Sequence, residues 1–148
     1  MSKGKQNKFK ERNAASYKRE VKSIETRQGR KEPFIVLSFK DFDRNQGQSF
    51  EEWEKEKLLA LAVSKLREVC QLSVGQAIAQ HVIKPYTKVG FPPDSNFEHP
   101  KHVSPDVIWC VMHIQGKECV IGYFEDNIFQ VVFLDKNHEF WISKKKNT

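Results

Sequence analysis

Apolar and polar positions fall in blocks along the chain, and the longest patterned block runs from Val107 to Ile142. It reads as three or four short strands: Val107 to Ile114, Cys119 to Phe124, Ile128 to Leu134, and a last run from His138 to Ile142. Turn residues separate them at Gln115-Gly116, Glu125-Asp126-Asn127 and Asp135-Lys136-Asn137. Short strands with turns at this spacing predict an antiparallel meander. In the first strand Trp109, Val111 and His113 alternate with Ile108, Cys110, Met112 and Ile114, so one face is apolar and the other mixed. Phe129, Val131 and Phe133 share a parity and are expected to be buried together, while Phe140 and Trp141 point to opposite faces.

Upstream, Phe34 to Phe39 is a continuous apolar run with β-branched and aromatic residues, which predicts a buried first strand. A polar loop follows from Asp41 to Gln48. Ser49 and Glu52 form a capping box, and Leu58, Leu61, Ala62, Leu66, Val69 and Cys70 recur at helical steps, predicting a helix to about Cys70. A second capping box, Ser73 with Gln76, opens another helix that Pro85 limits. Two helices joined by so short a link predict an antiparallel hairpin. Lys88 to Asp106 is the longest irregular stretch, and Phe91 and Phe97 suggest that it packs down. The expected fold is α+β, in the order β-α-α-β-β-β(-β), an antiparallel sheet with the helical hairpin packed on one face.

Charge divides the chain. The formal net charge is +6, yet residues 1–33 hold 11 Lys+Arg against 4 Asp+Glu, a net of +7, which leaves −1 for the rest. Without Lys144, Lys145 and Lys146, residues 34–143 carry −4. This predicts a disordered basic arm over 1–33, a single α+β domain over 34–143, and a basic tail over 144–148. Such an arm suits phosphate neutralisation or plain solubility. Cys70, Cys110 and Cys119 are odd in number and form no C-x-x-C pair, so a reducing, cytoplasmic setting is expected. No apolar run approaches the roughly 20 residues of a membrane span. The chain has no Gly-rich phosphate loop and no nucleophile elbow, so no small-molecule cofactor is expected.

Two polar clusters carry candidate chemistry: His99-Pro100-Lys101-His102 in the long loop, and Asp135-Lys136-Asn137-His138 after the third strand. Metal-free RNA cleavage needs a base, an acid and a cation, roles that His and Lys fill near neutral pH. If the loop closes over the end of the sheet, His138, His102 and Lys101 become the catalytic candidates. Lys136, Phe140 and Trp141 become the RNA-binding ones, through a phosphate contact and base stacking. His99 and His102, at a three-residue spacing, are with His113 or His138 the candidate metal ligands. A Pro lies between the first two and no Cys pair supports them, so no metal is expected.

The element order, with CVIGYFEDNIFQVVFLDKNHEFW leading into His138-Glu139-Phe140, resembles the RelE/ParE toxin superfamily and its HigB-like branch over about Phe34 to Trp141. The resemblance implies a RelE-like sheet and a bacterial mRNA endoribonuclease acting on RNA or at the ribosome, held by a cognate antitoxin protein. His138 and Phe140 are the positions that correspond, with Phe140 standing where that pattern has Tyr. A non-catalytic RNA- or protein-binding module of the same fold is the alternative.

Overall fold

Five strands form one mixed sheet among the described residues of the computed structural model, which are 32–86 and 90–142. The strands are β1 Val36–Ser38, β2 Lys84–Pro85, β3 Trp109–Gln115, β4 Glu118–Glu125 and β5 Ile128–Asp135, in the spatial order β1-β5-β4-β3-β2. Three helices lie between β1 and β2 in the chain: α1 Phe50–Lys55, α2 Leu59–Val69 and α3 Val74–Ala79. The α+β class holds. Among the described residues no helix is long and apolar enough to cross a membrane.

The meander is present as β3, β4 and β5, each antiparallel to the next. Several details differ from expectation, among them the strand at Lys84–Pro85, which the sequence pattern does not predict, and the exposure of Phe34, Val36 and Phe39 at a first strand expected to be buried. β1 is parallel to β5, with Val36 opposite Ile128, so the sheet is mixed rather than antiparallel. The predicted hairpin of two helices is three short ones, because the chain turns out of helix at Lys57 with a φ of 62°. The run from His138 to Ile142 forms no strand, since Asp135 turns it away from the sheet edge. Phe129 and Phe133 belong to opposite sides of the sheet. The register explains this: Ile121 faces Phe133 while Gly122 faces Val131, so Val132 is an extra residue and shifts the parity beyond it.

That sheet is buried on both sides. Trp53, Leu58, Leu66 and Val69 from the helical layer pack on Met112, Val120, Phe129 and Leu134. On the other side Phe97, Val103 and Phe140 pack on Trp109, Val111, Ile121 and Phe133. The helices cover one side, as expected; the long loop and the C-terminal segment cover the other. Backbone and side-chain bonds hold this cover in place. Asn96 N–H donates to the Glu139 carbonyl at 3.0 Å, and the Gln46 amide exchanges bonds with the Glu98 backbone at 2.6 and 2.9 Å. The predicted basic arm over 1–33 lies outside the described residues except for Glu32 and Pro33, and so does the tail over 144–148.

Candidate functional site

The two clusters read from the sequence occupy different ends of the sheet. His102 Nε2–H donates to the Asp41 carbonyl at 2.7 Å. The Asp41 carboxylate in turn accepts the Tyr123 hydroxyl near the end of β4. His138 instead sits beside Cys119, at the start of β4. Tyr123 and Cys119 share the loop-covered face, and four residues of strand separate them by about 13 Å. Closure of the loop therefore does not bring His138 to Lys101 and His102.

Lys101 and His102 belong to an open cleft of about 800 Å³ between the loop after β1 and the long loop. Lys40, Arg44, Asn45 and Asn96 share its walls. Among the described residues Arg44 and Lys101 have no ion-pair partner. Lys40 lies 3.9 Å from Asp41 and 3.8 Å from Glu125, long contacts at the exposed surface. Asp43 is turned inward, where its carboxylate accepts Asn45 N–H at 2.8 Å and the Gln46 amide at 2.9 Å. Its negative charge is thereby spent on holding the loop. His99 packs its ring against Phe91 and Trp109 and donates from Nδ1 to the Pro100 carbonyl at 3.0 Å.

The residues expected to bind RNA are placed otherwise. Phe140 has no exposed surface, so it cannot stack an incoming base. Its burial follows from the turn at Asp135, which swings it under the long loop. Trp141 is half-buried and stacks on Tyr86, with centroids 4.8 Å apart and planes at 15°. Lys136 pairs with Glu56 at 2.8 Å, and that carboxylate holds its ammonium above the ordinary lysine value. Its N–H donates to Gln48 Oε1 at 2.7 Å.

His138 has partners that the sequence reading did not assign to it. One ligating atom from each of His113, Cys119 and His138 lies within 4.8 Å of the other two. His113 and Cys119 are direct cross-strand partners on β3 and β4. Cys119 is buried, as a free cysteine in an apolar run commonly is. Burial also pushes its thiol up to about 12, with Asp135 and Glu118 adding to the rise. A thiol held protonated is a poor nucleophile, so the nearby His113 does not make a Cys-His dyad of it. A His-His-Cys set is instead a donor set for a borderline-soft metal ion.

Comparison with protein-family models, with curated proteins and with solved structures finds no match to this chain.

Proposed function

We propose that the chain is a single-stranded RNA-binding module that takes phosphates into the cleft around Lys40, Arg44 and Lys101. One observation carries this reading: the cleft presents Arg44 and Lys101 without ion-pair partners among the described residues, beside an inward-turned Asp43. Cations without internal partners gain most from a phosphate, because binding releases condensed counterions. The net charge of +7 over residues 1–33 adds a second basic segment to the same chain. The RelE-like kinship belongs to this proposal in its non-catalytic form, since His138 lies apart from Lys101 and His102.

The test is fluorescence anisotropy of a labelled single-stranded RNA across a salt series. Arg44→Ala with Lys101→Ala weakens binding about tenfold and flattens the log–log salt slope by about 1.4, two phosphate contacts at about 0.7 each. Equal affinity and slope in the native chain and the double variant would refute the cleft. Cleavage of the same RNA, lost in His102→Ala, would turn the reading into the ribonuclease one.

A further inference from the structure

We propose that His113, Cys119 and His138 bind one zinc ion, with a fourth coordination position open to solvent. The three residues reach one point by separate routes. His113 and Cys119 face each other across β3 and β4. Cys119 is also the cross-strand partner of Asp135 at the end of β5, so the segment after β5 starts beside the thiol. Asp135 then turns that segment, accepting Glu139 N–H and Phe140 N–H at 2.9 Å each. Within this turn His138 takes a φ of 57°, the left-handed conformation that side chains other than glycine rarely adopt. Phe140, fully buried, pins the segment beyond it. The strained turn thus serves to lay the His138 ring on that of His113, with centroids 5.5 Å apart and planes at 20°.

The donor atoms suit zinc. Zn–N bonds of about 2.0–2.1 Å and a Zn–S bond of about 2.3 Å put tetrahedral ligand atoms about 3.4–3.6 Å apart. His113 Nδ1 lies 3.4 Å from Cys119 Sγ and 3.3 Å from the Gly116 carbonyl, a bond it gives up when its lone pair turns to the ion, and the whole set lies within 4.8 Å. Side-chain rotation closes the remainder. His138 Nδ1–H donates to the Trp141 carbonyl at 2.8 Å, which leaves Nε2 to carry the lone pair. Metal-binding imidazoles are commonly oriented by such a bond from their other nitrogen. Met112, the methionine among the described residues, packs on the helical side of the sheet, so no thioether completes a copper-type site.

His113 is exposed, which gives the ion an entry from solvent. On binding, the Cys119 S–H bond breaks, an S–Zn bond forms, and the proton passes to solvent. Water leaves the ion as each donor arrives, and one water remains in the open position. The ion would fasten the C-terminal segment to the β3–β4 hairpin.

Titrating the full, reduced, metal-free chain with Co²⁺ tests this. One equivalent is expected to bind with a thiolate-to-cobalt charge-transfer band and the visible bands of a tetrahedral ion, and Zn²⁺ displaces it. Cys119→Ser removes the charge-transfer band, whereas Cys70→Ser keeps it. His113→Gln, at an exposed position, keeps the native circular dichroism but lowers Zn²⁺ affinity at least about tenfold in competition with a chromogenic chelator. It also loses the rise in unfolding midpoint that Zn²⁺ gives the native chain. The site is refuted if no thiolate band develops, or if the band survives Cys119→Ser. Should that variant not fold, unchanged Zn²⁺ affinity in His113→Gln refutes it alone.

Discussion

At the scale of single residues, Phe140 shows how an aromatic position is decided by its neighbours. Its ring meets Phe91 and Phe97 from the long loop and Trp109 and Phe133 from the sheet, all at centroid distances between 5.3 and 6.0 Å. It is the centre of the second core, so Phe140→Ala is expected to cost about 3–5 kcal/mol in urea unfolding. A loss below about 1 kcal/mol would mean that the segment does not pack as described. Sequence parity placed Phe140 and Trp141 on opposite faces, and only one of them is fully buried. It did not show which, because the segment is not a strand and parity has no meaning in a turn. His138 stood out in the sequence as a candidate acid or base, not as the neighbour of a thiol. Cys119 did not stand out, because a buried cysteine in an apolar run carries no sign of the histidine opposite it. That pairing depends on the β3–β4 register, which a sequence without an alignment leaves open.

Among the elements, the helix breaks were hidden because the expected residue type is missing. α1 ends in a Schellman motif, with Leu58 N–H bonding the Trp53 carbonyl at 2.8 Å and Lys57 N–H bonding the Glu54 carbonyl at 3.0 Å. α3 ends the same way, with Val82 N–H to Ala77 at 2.9 Å and His81 N–H to Ile78 at 3.0 Å. Glycine usually fills the left-handed position of this motif, yet here it holds Lys57 and His81, at φ of 62° and 60°. With no glycine to read, the stripe through Leu58 and Leu61 seemed to continue one helix. Lys57→Gly is accordingly expected to stabilise the fold by about 0.5–1 kcal/mol, as relief of left-handed strain outweighs the added chain entropy. A lower denaturation midpoint in that variant would contradict this account of the break. The capping boxes at Ser49 and Ser73, in contrast, form as their sequences implied. The bulge at Val132 makes the opposite demand. A Cβ on Gly122 would collide with the Gln130 carbonyl oxygen, backbone that cannot step aside. Gly122→Ala is expected to cost about 1–3 kcal/mol by forcing β4 and β5 apart. Matched unfolding curves for Gly122→Ala and the native chain would show that the two strands separate freely there.

For the molecule as a whole, a sheet covered on both sides buries acidic side chains that titrate only at high pH. Cys110 belongs to the core under the helices and Cys119 to the core under the long loop, and burial pushes each thiol up to about 12. Tyr86 and Tyr123 are raised as well, first by burial, and at Tyr123 also by hydrogen bonds to Asp41 and Glu125. All four groups are neutral when protonated, and the fold favours that form. An unfolded chain releases the thiol protons near their ordinary value of about 9, while the folded chain retains them. Between those values the unfolded state binds fewer protons, so stability falls as pH rises. Below pH 9 this contribution is constant and complete. The urea midpoint of the metal-free chain should therefore hold level from about pH 7.5 to 8.5 and decline steadily from about pH 9 to 10.5. Cys110→Ala starts from a lower midpoint, because it leaves a small cavity, but declines less steeply because one of the four groups is gone. A midpoint that stays level to pH 10.5, or a slope unaltered by Cys110→Ala, would show that the helix-covered core opens to hydroxide before the sheet unfolds.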